Sequence, residues 1–280
     1  MSHTILLIGA GNMGFAMLTG WLRQDPELTV HVVEPFADFR ERAAAVGTRP
    51  VATLSHLPAG LRPDLVVLAV KPQMVAPVLA RCGGFVAKGT GFVSVAAGIG
   101  LADMRAALPH PAALIRCMPN TPAAIGEGMM VLCPAAGVPD VTKALAERLM
   151  ASSGAVAWLA DEGLMDAVTA ISGSGPAYVF HFIEALTEAG TELGLPPDLA
   201  GLLALQTVAG AGRMAQRAEV SPTRLREQVT SPNGTTAAAL AVLMGGGALT
   251  ALVSRATMAA RDRGAALGEE AAQTGHATET

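Results

Sequence analysis

The sequence contains few charged residues and very little lysine. Only 15% of its 280 residues are charged, and Lys71, Lys88 and Lys143 are its three lysines. The formal net charge is −4, without a block of like charges. This pattern gives no indication of a nucleic acid or an acidic membrane surface as a partner.

Cysteine is also scarce. Cys82, Cys117 and Cys133 are widely spaced, odd in number and form no CxxC pair. We therefore predict reduced, buried thiols in a reducing compartment, and no metal site. The sequence runs almost directly into a β-rich segment, so we also predict no signal peptide and a cytoplasmic location.

Hydrophobic residues, in contrast, are abundant. They make up 51% of the chain, and the mean hydropathy of +0.43 is high for a soluble monomer. A membrane helix needs about 18 to 20 continuous apolar residues. The uncharged stretch Leu199–Gly212 is shorter than that and contains Gln and Thr. We therefore interpret the apolar excess as the buried interface of a homo-oligomer, with no membrane as a partner.

The first half of the chain alternates short apolar runs with helical segments. The predicted strands are Thr4–Ile8, Thr29–Val33, Asp64–Val70, Gly91–Val95, Ala113–Met118, Met129–Cys133 and Ala155–Leu159. Helices are predicted over Met13–Gln24 and Phe36–Val46. Continuous apolar strands between helices predict an α/β domain, residues 1–160, with a mostly parallel sheet covered on both faces.

The pattern becomes helical after about residue 160. The predicted helices are Glu162–Ile171, Pro176–Leu193, Asp198–Arg217, Pro222–Val229, Thr235–Met244 and Ala248–Leu267. We therefore predict an all-helical domain over residues 161–268, with a role in dimerisation. Residues 269–280 are predicted to be a flexible tail.

A glycine-rich turn joins the first strand to the first helix and matches G-x-G-x-x-G. Its residues are Gly9, Ala10, Gly11, Asn12, Met13 and Gly14. The glycines allow a tight turn, close approach of a pyrophosphate and close helix packing, while the helix start presents free N–H groups to the anion. This context predicts a Rossmann-type dinucleotide site.

Glu34 follows the second strand, 25 positions after Gly9. An acid at this point usually binds the adenosine ribose and repels a 2′-phosphate, which favours NADH. Arg40 and Arg42 follow closely and are either phosphate ligands or solvated helix residues. The residues alone leave the choice between NADH and NADPH open.

The ends of later parallel strands are further candidates for cofactor contacts, since such ends border the cofactor crevice. These candidates are Ala69, Val70, Lys71, Pro72, Ala97, Gly98 and Asn120. Lys71 is either a phosphate or ribose ligand or a surface lysine. Asn120 lies in the rigid run Arg116–Pro122, which is either site-lining or a plain turn.

Two segments of the second half also contain the residue types expected in a site. Ser172–Tyr178 precedes a long helix and combines glycine with serine. Thr230–Thr236 gathers hydroxyl groups at a helix start, which suits a carboxylate or a capped turn.

Five segments together resemble the pyrroline-5-carboxylate reductase family. They are Gly9–Gly14, Ala69–Gln73, Arg116–Pro122, Ser172–Tyr178 and Leu225–Thr236. The resemblance implies a Rossmann domain, a helical domain that interlocks in a homodimer, and decamers in some members. It favours NADP (NADPH) as cofactor, with NAD (NADH) possible because of Glu34.

The resemblance also implies the substrate contacts. It places the substrate carboxylate near Ser231, Gly234 and Thr235, and the ring nitrogen near the hydroxyl of Thr236, the expected catalytic residue. Glu162 and Gln228 match pocket-lining positions. Asn233 departs from the usual S-P-G-G loop, but asparagine tolerates left-handed backbone, so we expect the loop to survive.

The expected function is reduction of (S)-1-pyrroline-5-carboxylate to L-proline. The alternatives are a β-hydroxyacid dehydrogenase, another imine reductase, and a non-catalytic dinucleotide sensor. A carbonyl reductase of the first kind needs a stronger acid, a lysine in its helical domain, whereas no lysine follows Lys143 here.

Overall fold

A computed structural model describes residues 3–86 and 89–276. Within them, seven strands form one sheet in the order β2-β1-β3-β4-β5-β6-β7. The strands are β1 (Thr4–Ile8), β2 (Thr29–Val33), β3 (Leu65–Leu68), β4 (Gly91–Ser94), β5 (Ala113–Met118), β6 (Gly128–Pro134) and β7 (Gly154–Trp158). Strands β1 to β5 are parallel, β6 is antiparallel to β5, and β7 is parallel to β6.

Every residue of β3 and β4 is buried. Because successive side chains of a strand point to opposite faces, this burial requires cover on both faces of the sheet. Strands β2 and β3 lie on either side of β1, so the strand order reverses there. Such a reversal is the usual dinucleotide-binding position of an open α/β sheet. The predicted fold class is thereby confirmed.

Twelve α-helices are described. They are α1 (Asn12–Gln24), α2 (Ala37–Ala45), α3 (Val75–Arg81), α4 (Gly83–Val86), α5 (Leu101–Ala106), α6 (Asp140–Ala151), α7 (Met165–Val168), α8 (Gly175–Glu192), α9 (Pro197–Arg217), α10 (Pro222–Gln228), α11 (Thr235–Met244) and α12 (Ala248–His276). The single helix predicted over Glu162–Ile171 is instead a 3-10 turn, the short α7 and a π-helical turn, Thr169–Gly173.

The chain forms two compact units. One comprises the described residues up to Ser174 together with those from Ala260 onward, and the other is Gly175–Ala259. This division lies later than the boundary predicted between residues 160 and 161. The tail predicted from residue 269 begins inside α12, which continues to His276. Residues 277–280 lie outside the described part.

The second unit exposes many large apolar side chains. Only Ala200 and Ala204 are buried among its described hydrophobic residues, whereas Val242 is 76% exposed and Leu202 is 63% exposed. An isolated domain of this kind would leave its apolar surface in water. The observation supports the predicted oligomer interface.

One segment, Thr235–Gly268, is long and apolar enough to cross a membrane by length and composition. The sequence contains an uncharged run longer than Leu199–Gly212, since residues 228–254 include no Asp, Glu, Lys or Arg. The segment is not one continuous helix, because Gly246 and Gly247 have φ of +58° and +72° between α11 and α12. The ten residues of α11 span about 15 Å, half of a bilayer core.

Thiol chemistry provides a test of the first unit. Burial raises the pKa of Cys82 to about 11 and that of Cys117 to about 12. We expect negligible reaction of the native protein with a thiol reagent at pH 8, and modification of all three cysteines after unfolding. The contribution of the neutral Cys82 and Cys117 thiols to the free energy of unfolding should be fully present below their ordinary pKa of 9.0. It should decline as pH rises towards 11 and 12, because the thiols then ionise in the folded protein.

The measurement is reagent uptake with and without denaturant. Rapid uptake by the native protein at pH 8 would contradict the buried placement of these thiols.

Candidate functional site

The turn after β1 is built around two glycines. Gly9 has φ of +95°, and its N–H donates to the Val33 carbonyl at 2.8 Å. A Cβ on Gly9 would lie 2.4 Å from the Ala69 carbonyl oxygen, and one on Gly14 would lie 2.1 Å from the Gly9 carbonyl oxygen. A side chain on Gly9 would therefore force the turn away from the end of β3, and one on Gly14 would force α1 away from the turn.

Gly11 has a different environment. A Cβ there would meet nothing within 4 Å. Gly11 also occupies the position before α1, and no side chain caps the start of this helix. The first N–H groups of α1 are therefore available to a ligand. Open space before an uncapped helix start suits a pyrophosphate, so the turn fits the cofactor that the motif predicts.

The structure brings the other predicted cofactor residues to the same edge of the sheet. Glu34, Ala69–Pro72, Ala97–Gly98 and Asn120 follow the carboxyl ends of β2, β3, β4 and β5. Lys71 is exposed and Ala69 is half-buried. Gly98, with φ of +74°, also packs on α12, because its Cβ would lie 3.5 Å from the Gly268 nitrogen.

Asn120 is engaged within the protein. Its Nδ2 donates to the Ser172 carbonyl at 3.0 Å, and its Oδ1 accepts the Met129 N–H at 2.8 Å. Ser172 lies four positions before Pro176, which has no N–H to continue the helical pattern. Asn120 thus supplies the donor that Pro176 lacks, and we infer a positioning role for it.

Glu162 lies in a charged group with Arg116 and Asp166 that local sequence patterns do not predict. Its Oε1 accepts the Leu101 N–H at 2.7 Å and lies 3.2 Å from an Arg116 nitrogen. Arg116 also lies 3.9 Å from Asp166, and only 9% of its side chain is exposed. The sequence signal for this charged group is an arginine within an apolar strand, since a buried charge requires a partner.

The remaining predicted substrate residues lie in the second unit. They are Gln228, Ser231, Gly234, Thr235 and Thr236. Gln228 ends α10 and is exposed, as are Ser231 and Thr235, while Thr236 is half-buried. Glu162 belongs to the first unit, so the predicted substrate set is divided between the two.

The loop before α11 has a specific backbone geometry. Asn233 has φ of +58°, which confirms the expectation that asparagine maintains the loop. A Cβ on Gly234 would lie 2.4 Å from the Ser231 Oγ. Gly234 precedes α11 without a side-chain cap, so the α11 N–H groups remain available to an anion.

Among the residues that the structure describes, no group of three or more His, Cys, Asp or Glu side chains is arranged to hold a metal ion.

Comparison with known proteins adds independent observations. Residues 162–267 match the family model of pyrroline-5-carboxylate reductase dimerisation, and residues 4–98 match that of NADP oxidoreductase, coenzyme F420-dependent. The chain is 41% identical to a pyrroline-5-carboxylate reductase of Pseudomonas aeruginosa over 270 residues, which cover 96% of this chain and 98% of the relative.

Solved structures agree with this match. A pyrroline-5-carboxylate reductase of Coxiella burnetii superposes with a TM-score of 0.89 at 34% identity, over 95% of this chain and 99% of that one. The Plasmodium falciparum pyrroline carboxylate reductase with NADP bound gives a TM-score of 0.80 at 27% identity, over 95% and 98%.

The fold and the glycine turn define an NAD(P)H-dependent oxidoreductase with a helical oligomerisation region. Within that class, the chain belongs to the pyrroline-5-carboxylate reductase family, as the resemblance of its five segments predicts.

The contacts of Asn120 lead to a prediction about stability. Asn120→Ala removes a donor from the Ser172 carbonyl and an acceptor from the Met129 N–H. We expect a loss of about 1–3 kcal/mol in the free energy of unfolding. Asn120→Asp retains the acceptor but places a carboxylate against the Ser172 carbonyl, so it should be at least as harmful.

Urea unfolding followed by tryptophan fluorescence measures the effect. If the Asn120→Asp variant is as stable as the unsubstituted protein, the hydrogen bond to the Ser172 carbonyl is unimportant for stability.

Proposed function

We propose that the protein reduces (S)-1-pyrroline-5-carboxylate to L-proline with NADPH or NADH, the last step of proline synthesis. The observation that carries this proposal is the nearly end-to-end match to a pyrroline-5-carboxylate reductase. The chain combines that match with both the glycine turn at Gly9–Gly14 and the hydroxyl-rich loop before α11.

The reaction adds a hydride to the carbon of a C=N bond and leaves a proton on nitrogen. When bound, the reduced nicotinamide supplies that hydride. A protonated imine is already electrophilic, so the protein mainly has to align the donor with the acceptor. No side chain with a strongly shifted pKa is required.

The roles of individual residues follow from this requirement and from the family likeness. Ser231, Thr235 and the α11 N–H groups hold the substrate carboxylate, with Gly234 allowing the close turn. Thr236 holds the proton on the ring nitrogen. Glu162 and Gln228 line the substrate pocket.

A β-hydroxyacid dehydrogenase is less well supported. Reduction of a neutral carbonyl needs an acid, and no lysine follows Lys143 to supply one. A non-catalytic sensor would have no use for the loop before α11.

We further propose that the protein is a cytoplasmic homodimer that can assemble into decamers. The exposed apolar side chains of α8, α9 and α11 support self-association, because burying them would remove their apolar surface from water.

Substitutions at Thr236 test the proposed function. Thr236→Val keeps the shape but removes the hydroxyl, and we expect turnover with pyrroline-5-carboxylate to fall about 100-fold, the lower range for a positioned proton donor. Thr236→Ser retains the hydroxyl and should retain most of the activity. Loss of reduced nicotinamide absorbance is the measurement.

Two results would contradict the proposal. Absence of turnover by the unsubstituted protein with either NADPH or NADH would exclude the reductase function. Equal turnover by Thr236→Val and Thr236→Ser would exclude a role for the hydroxyl.

A further inference from the structure

Glu34 is buried at the end of β2 and bonded to the glycine turn. Only 3% of the residue is exposed. Its Oε2 accepts the Ala10 N–H at 2.7 Å, and its Oε1 accepts the Phe36 N–H at 2.9 Å. A carboxylate held by two backbone donors in a buried position has little freedom to turn away.

Arg42, from α2, contacts the same turn. One of its terminal nitrogens donates to the Ala10 carbonyl at 2.8 Å, and the other lies 3.4 Å from the Asn12 Oδ1. Its guanidinium carbon is 4.3 Å from the Phe15 ring centroid and 5.0 Å from that of Phe39. Both stacking and hydrogen bonding fix this guanidinium beside the turn.

The two side chains together hold one residue of the turn. The N–H of Ala10 is bonded to Glu34, and its carbonyl is bonded to Arg42. Ala10 lies between Gly9, which allows the tight turn, and Gly11, where open space suits a pyrophosphate. We name Glu34, Ala10 and Arg42 the turn clamp.

We propose that the turn clamp selects NADH over NADPH, with Glu34 as the specificity-determining residue and Arg42 as a positioning residue. This inference rests on the proposed function only in taking a nicotinamide dinucleotide as hydride donor. An acid at this strand end accepts the ribose hydroxyls and repels a 2′-phosphate. Glu34 cannot relieve that repulsion without leaving the Ala10 N–H unpaired.

Arginines near a ribose would ordinarily favour a phosphate, but these two are committed elsewhere. Arg40 donates to the Glu34 carbonyl at 2.9 Å and to the Pro35 carbonyl. To reach a 2′-phosphate, Arg42 would have to leave the Ala10 carbonyl and its two aromatic neighbours. Arg42 is therefore not a ready phosphate ligand, and Arg40 has one terminal nitrogen bonded to two backbone carbonyls.

Calorimetric titration of the full chain with NAD⁺ and with NADP⁺ tests this inference. We expect NAD⁺ to bind the unsubstituted protein at least about tenfold more tightly, since like charges a few ångströms apart repel strongly in a partly buried site. Glu34→Gln removes the charge and should reduce the ratio of NAD⁺ affinity to NADP⁺ affinity, mainly by strengthening NADP⁺ binding. Glu41→Gln, an exposed change on α2, should leave the ratio unchanged.

Arg42→Met separates positioning from phosphate binding. If Arg42 only positions the turn, the affinities for NAD⁺ and NADP⁺ should fall by the same factor. The affinity for AMP, which lacks the pyrophosphate, should fall less. An unchanged melting temperature of the variant would show that the loss is local. A selective loss of NADP⁺ affinity would make Arg42 a phosphate ligand and overturn the inference.

Tighter binding of NADP⁺ than of NAD⁺ by the unsubstituted protein would also overturn it. These titrations require no turnover, so the two proposals can fail independently. An NAD⁺ preference without reduction of pyrroline-5-carboxylate would refute the proposed function alone. Reduction together with an NADP⁺ preference would refute only the role of the turn clamp.

Discussion

The close approach of the first strand's turn to the end of the third strand is the constraint on which the first unit depends. Gly9 and Gly14 leave no room for a Cβ against Ala69 and against each other, so β1, α1 and β3 meet backbone to backbone. That contact sets the direction of α1 and leaves its first N–H groups facing open space. Glu34 and Arg42 then hold Ala10 from both of its polar groups. Binding of an anion at this point is a consequence of packing as much as of charge.

Local patterns in the sequence predict most of the first unit correctly. The bounds predicted for β1, β2 and β5 agree with the structure, because each strand is an apolar-rich run followed within two residues by glycine or proline. The segment Glu162–Ile171 is different. Its helical periodicity gives no indication of the π-helical turn Thr169–Gly173, which depends on Asn120 and Pro176 as well as on its own residues.

Contacts between distant residues account for what the sequence could not reveal about the candidate site. Asn120 and Ser172 are 52 positions apart, and Arg116 and Glu162 are 46 positions apart, so no local period connects them. Chemistry offers partial signals, because a buried arginine needs a partner and Pro176 leaves a carbonyl without a donor. The apolar faces of the second unit indicate that another surface covers them, but a local sequence pattern does not specify the shape of that surface.

The scarcity of charged side chains is consistent with the proposed chemistry. Both anionic groups that the reaction must hold, a pyrophosphate and a carboxylate, can be bound by backbone N–H groups at helix starts. Gly11 precedes α1 and Gly234 precedes α11, and neither helix has a side-chain cap that would compete for those N–H groups. A cationic imine needs no strong acid to accept a hydride, so the reaction can proceed without a lysine in the helical region. A chain with 15% charged residues can thus bind two anions, because backbone N–H groups that follow its glycines replace the arginine and lysine side chains that bind anions in other proteins.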